Sequence, residues 1–289
     1  MADPLNPTGP PAQPPFRRGP PGGLPSAPYP SPAHREAHRR RLVQATSGGR
    51  LFAGMQRPWL TWSLVGLLVA IHLLLGLRLL LTDRVGIVGV VTAPRPDALL
   101  IRAGAMYAPR IDHGEVWRLV SCIFLHGDGV HILFNGVALA GLGRLNEAIY
   151  GRRRLLFLFV AAGLAGSTLS YLGGHRLSIG ASGAVFGLMG APIVFGWRHR
   201  DELPPGLGDR LRRALMPWVV LNLFIGVVVP FIDNLAHVGG LLGGCLLALL
   251  IGNRVVPGRE GSELGRSVLA ALALVLIGAA AAGVAGQWL

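Results

Sequence analysis

Two residues stand out by type and setting. Ser182 lies in Ser178-Ile-Gly-Ala-Ser182-Gly-Ala-Val-Phe186-Gly-Leu-Met-Gly190, a hydroxyl among small residues in an apolar run. His237 lies in a later apolar run, Asn234-Leu-Ala-His237-Val-Gly-Gly240. A serine is a weak nucleophile until a neighbouring base takes its proton, and histidine is the usual base. The two together could transfer an acyl group, provided the fold joins their runs. Taken singly, a serine in such a run packs or satisfies a carbonyl. No Asp or Glu occupies an obvious third position, so the pair reads as a dyad. Asp233, four residues before His237, reads as a helix start. A developing oxyanion needs donors. His131 and Asn135, at i and i+4, share one helix face and could supply them with the Ser182 backbone N–H.

These residues need elements to hold them, and composition says which kind. Of 289 residues 51% are hydrophobic, 14% are charged and 42 are glycine. A soluble domain carries about 25% charge, so the chain reads as an all-α polytopic membrane protein embedded in a lipid bilayer. The net charge of +13 would suggest nucleic acid in a soluble protein. Here the basic residues fall between apolar runs, which makes them a topology signal and argues against a nucleic-acid partner. Cys122 and Cys245 lie in apolar runs without a CxxC partner and read as small buried hydrophobes.

The Pro- and Gly-rich residues 1–58 form a tail expected to be disordered and cytoplasmic. It lacks the pattern of a secretory signal, so it is expected to stay attached. Seven apolar runs follow: Trp59–Leu81, Val130–Ile149, Leu155–Leu172, Ile179–Trp197, Ala214–Val229, Leu235–Ile251 and Val268–Leu289. Residues 82–128 form a long first outer loop, in which the short run Leu119–Leu125 is expected to lie at the membrane interface. Of the 27 arginines, 20 fall in the tail and in the turns after runs two, four and six. The positive-inside rule then puts the N-terminus in the cytoplasm and the C-terminus and site mouth outside. The basic residues are all Arg with no Lys, which points to a GC-rich bacterial genome and so to a bacterial inner membrane. Ser182, His237, His131 and Asn135 all fall within roughly 10 Å of the outer face at a rise of about 1.5 Å per residue. Polar groups inside a membrane face the protein interior, and four from three spans converge on one layer. Gly183 and Gly187, and Gly240 and Gly244, are four apart, a spacing that lets helix backbones approach closely.

At these residues the sequence resembles the rhomboid family of intramembrane serine proteases. The motifs are Gly180-Ala-Ser182-Gly183, Ala236-His237-x-x-Gly240-x-x-x-Gly244, His131-x-x-x-Asn135, Trp117-Arg118 and Gly143-x-x-x-Glu147. The likeness covers roughly residues 59–252, leaving 253–289 as a linker and a seventh helix. It implies a six-helix core with Ser182 as nucleophile, His237 as general base, and His131 and Asn135 as oxyanion donors. It also implies single-span membrane proteins as substrates, with no metal and no cofactor. Phe186 stands where some relatives carry tyrosine, and could pack on the His237 ring. His126 reads as structural, at the outer edge of the site, and Trp117 and Arg118 as loop anchors at the interface. His72, His113, His175 and His199 have no partner argument. Run five and the loop Val227–Asn234, with Phe224 and Phe231, form the expected substrate gate. Competing readings are an inactive client-binding relative, a small-molecule transporter, for which no inverted repeat is visible, and a metalloprotease, for which there is no HExxH. Oligomeric state is not encoded in these patterns.

Overall fold

The computed structural model describes residues 36–37, 57–82 and 84–288. The expectation for the tail, 1–58, falls almost wholly outside them. Among the described residues seven long helices carry the chain. They are α1 (Trp59–Leu81), α2 (Gly129–Tyr150), α3 (Arg152–Leu172), α4 (Ser182–Arg198), α5 (Leu207–Val228), α6 (Asn234–Leu250) and α7 (Glu263–Gly286). Each matches one apolar run, so the fold class is as expected. The α3, α5 and α7 helices begin earlier than their runs, because arginines or acidic residues in the first turn break hydropathy without breaking a helix. The α4 helix begins later, at Ser182, because Gly180 turns the chain sharply before it.

Length sorts the helices. By size and composition α1, α3, α5 and α7 can each cross a membrane, and α2 joins the preceding Arg118–Phe124 across a 92° bend. The α4 and α6 helices have 17 residues each. At about 25 Å they are shorter than a bilayer core of about 30 Å. Such helices suit the interior of a bundle, and α4 is buried at every position from Gly183 to Pro192. It packs against α2, α3, α5 and α6.

Glycine sets how close these helices come. A Cβ at Gly240 would land on the Gly183 carbonyl, and one at Gly244 on the Gly187 carbonyl. On the other side of α6, a Cβ at Gly239 would sit 2.7 Å from the Ala165 carbonyl of α3. The α3, α4 and α6 helices therefore meet backbone to backbone.

The outer loop is a folded platform. Its two-residue strand β1 (Met106–Tyr107) pairs antiparallel with β2 (Leu177–Ser178), in the register Met106↔Ser178. Arg118, fully buried, donates to the carbonyls of Ile101 (2.5 Å) and Ala105 (3.1 Å) and to Glu115 (2.7 Å). Burial raises the Glu115 carboxyl, but hydrogen bonds from Arg110 and Arg118 outweigh it and hold the group below its ordinary value. With the folded value depressed, this pair stabilises the loop above the ordinary carboxylate range and is lost as pH falls through the folded value. The run 119–125 does not lie at the interface as expected. Val120, Cys122, Ile123, Phe124 and Leu125 are all buried, with Ile123 against Gly163 of α3. A short run apolar on every face is a plug rather than a one-sided surface helix. Arg118 is scaffold inside the loop rather than an interface anchor, its buried guanidinium lying 4.6 Å from the half-buried Trp117 ring.

Toward the C-terminal end of α2, Gly143 leaves room for Thr61, and Glu147 binds the first turn of α1. Its carboxylate accepts from Thr61 N (2.9 Å) and Oγ1 (2.7 Å). An anion at a helix N-terminus meets donors that lack intrahelical partners. Glu147→Ala should leave both donors unpaired and cost about 1–3 kcal/mol. A lower unfolding midpoint in detergent for Ala, with a smaller drop for Glu147→Gln, is the expected result.

Candidate active site

Ser182 is the first residue of α4. The turn that delivers it is fixed on both sides: Gly180 N–H donates to the Cys122 carbonyl (2.9 Å), and Ala181 N–H donates to His126 Nε2 (3.4 Å). The Ser182 N–H belongs to the first turn, whose donors have no acceptor within the helix.

His237 is in the first turn of α6, which Asp233 caps by accepting from Ala236 N at 2.9 Å. Asp233 also accepts from Ser170 Oγ of α3. It thus starts the helix, as expected. The His237 ring stacks on Phe186 at 4.3 Å between centroids with 17° between planes. Phe186 is one turn after Ser182, so the histidine lies on the α4 face that carries the serine. Its Nδ1 is buried with no hydrogen-bond partner.

His131 comes from the first turn of α2, whose cap Asp128 accepts from Val130 N (2.8 Å) and His131 N (2.9 Å). Its Nδ1 accepts from Gly127 N–H at 3.4 Å, which assigns the neutral ring's proton to Nε2. That Nε2 faces Gly180, where an added Cβ would lie 2.7 Å away. Asn135 is buried and its Nδ2 donates to the His131 carbonyl at 3.0 Å, leaving one amide hydrogen. The side chains of His237 and His131 therefore flank the Gly180–Ser182 turn, each from a different helix. Among the described residues no three His, Cys, Asp or Glu side chains are grouped to hold a metal.

His126 is 1% exposed, with its ring edge-on to His131 at 5.0 Å. Its bond to Ala181 N makes it a support for the serine turn. Other supports were not foreseen. Asp128 carries a legible signal, a capping residue directly before an apolar run. Arg95, in the same outer loop, is buried and donates through its guanidinium to the carbonyls of Val90 (2.6 Å) and Ala93 (2.5 Å), and through its N–H to Gly127 (2.7 Å). His72 and His199, read as lacking partners, are both buried and bonded. His72 meets Val91 O (2.9 Å) and Arg95 (3.1 Å), and His199 meets Glu202 (2.6 Å) and Asn253 (3.1 Å). Phe224 and Phe231, expected to hold the gate shut, are 64% and 90% exposed. What joins α5 to α6 is Asn234, whose Nδ2 donates to the Leu223 carbonyl at 3.0 Å.

Residues 113–254, which contain all four candidate site residues, match the family model of the Rhomboid domain. The chain belongs to the rhomboid family. With its long apolar helices it is an integral membrane protein. Among its relatives is RHOMBOID-like protein 5 of Arabidopsis thaliana, 38% identical over 158 residues, or 53% of this chain and 49% of that protein. Rhomboid protease GluP of Bacillus subtilis is 34% identical over 178 residues, 62% of this chain and 33% of that one. Rhomboid-like protease 1 of Toxoplasma gondii is 33% identical over 162 residues, 53% of each chain. The chain spans about half or less of the length of these relatives. The rhomboid match leaves α1 and α7 outside its bounds.

Gly180 in this rhomboid domain combines a φ of +117° with no room for a side chain. Gly174, at +86°, has the same left-handed backbone but nothing within 4 Å. Both alanine variants bear backbone strain; only Gly180→Ala also displaces His131. It should lose about 1–3 kcal/mol more than Gly174→Ala, measured as unfolding midpoints in detergent.

Proposed function

We propose that this chain is a serine-type intramembrane endopeptidase that cuts single-span membrane proteins within or beside their transmembrane segment. The observation that carries the reading is the His237 ring stacked on Phe186, one turn from Ser182. In the proposed reaction Ser182 Oγ attacks the scissile carbonyl carbon while His237 takes the hydroxyl proton. The oxyanion that forms accepts from Ser182 N–H, His131 Nε2–H and the free Asn135 amide hydrogen. The His237 imidazolium then gives its proton to the departing amine, which leaves Ser182 as an ester. Water enters, His237 takes one of its protons, and the hydroxide adds to the ester carbonyl. The His237 imidazolium then returns that proton to Ser182 Oγ as the acyl–oxygen bond breaks, which releases the product acid and restores the neutral dyad.

Several features support this assignment. Phe186 and the α4 backbone hold the imidazole in place with no acidic third member, so the dyad relies on packing where a triad relies on an anion. The Gly127 bond leaves the His131 proton on the nitrogen that faces the serine turn. A relative bears the name rhomboid protease, though another is named only rhomboid-like. The arginine distribution supports a cytoplasmic N-terminus and a serine turn opening outward, and the all-Arg basic composition fits a bacterial inner membrane. The short α4 and α6 begin below the bilayer surface in this arrangement, so water must reach them through a cavity.

The test is cleavage of a model transmembrane substrate by the purified protein in detergent. Wild type should cleave, and Ser182→Ala should fall to background. His131→Ala and Asn135→Ala should each lose about two to three orders of magnitude in rate. Cleavage that survives Ser182→Ala would overturn the mechanism. Absence of cleavage by wild type across several substrates would favour the inactive, client-binding reading.

A further inference from the structure

The end of α7 lies outside the rhomboid match and has no part in the proposed chemistry, yet it grips the outer loop. The Trp288 ring, just past α7, lies 4.2 Å from the Arg78 guanidinium at the end of α1. The guanidinium of Arg102, in the loop turn Asp97–Arg102, lies 4.5 Å from the same ring. Arg102 Nε also donates to the Gln287 carbonyl at 3.2 Å. Two like charges are thus drawn to one indole, whose electron-rich face attracts both. Five residues back, Gly283 lies so close to the Trp117 ring that a Cβ would overlap it. Val284 packs where a side chain on Gly104 would be, 2.9 Å from its Cβ position.

From this grip a continuous line of contacts runs to the serine. Gly104 stands two residues after Arg102, and its carbonyl accepts from Ser121 Oγ at 2.5 Å. The next residue, Cys122, accepts from Gly180 N–H at 2.9 Å. Gly180 is two residues before Ser182. We propose that the end of α7 is a clasp that fixes the outer loop and, through the Cys122–Gly180 bond, the pose of the Ser182 turn. Trp288 is its positioning residue. The proposal rests on the peptidase reading for its effect on rate, but not for its effect on structure.

The full chain is compared with Trp288→Ala, Trp288→Phe and Trp288→Leu by hydrogen exchange, unfolding temperature and cleavage kinetics. Phe keeps a π face; Leu keeps apolar bulk without one. In Trp288→Ala, exchange at the Gly180 and Ala181 amides should rise about tenfold, the scale of one lost cation–π contact. Exchange within α4 and α6 should stay unchanged. The kcat should fall by a similar factor with KM unchanged, Phe should restore most of both effects, and Leu should restore little. Unchanged exchange at Gly180 and Ala181 in Trp288→Ala would overturn the clasp. So would a uniform rise across all helices, or full rescue by Leu. If wild type cleaves nothing, the peptidase reading fails and the exchange data alone decide the clasp.

Discussion

The direct contact of the α4 and α6 backbones is the constraint on which the site depends. Side chains normally hold helix axes 8–10 Å apart, a spacing that would carry His237 away from the face bearing Ser182. Gly183 and Gly187 on one helix, with Gly240 and Gly244 on the other, remove that spacer. Lipid gives little hydrophobic reason for helices to associate, so close packing must supply the attraction. The same contact lets the Phe186 ring reach the imidazole and hold its plane. The proposed dyad needs this, because nothing bonds to His237 Nδ1.

The second requirement is a fixed backbone ahead of the serine. Gly180 and Ala181 spend their N–H groups on Cys122 and His126, both from the outer loop. That loop therefore cannot be a passive connection. Arg118 ties together two carbonyls and a carboxylate inside it, and Arg95 ties its start to the residue before Asp128. Buried guanidinium groups are costly unless their donors are used. Here most of those donors are used, and they link the loop's short turns to one another.

What could be read in the sequence was what depends on periodicity, length and residue type. The seven helices, the candidate residues Ser182 and His237, the cap at Asp233 and the small-residue spacing at Gly183 and Gly240 are local patterns. Helix starts at α3, α5 and α7 were missed because hydropathy ends where arginines begin, although arginine is a good helix former. The plug at 119–125 was misread because an apolar run does not say whether lipid or protein covers it. Arg95, His72 and His126 gave no local sign of their partners, which lie on other segments. The neutral tautomer of His131 is also a tertiary fact, set by the Gly127 amide.

The central claim is that Ser182 is made nucleophilic by His237. Labelling of the purified protein by a fluorophosphonate tests it without a substrate. The account predicts a single adduct at Ser182, absent in Ser182→Ala, and slowed by about three orders of magnitude or more in His237→Ala. An adduct formed at the wild-type rate in folded His237→Ala, or one on another residue, would contradict it.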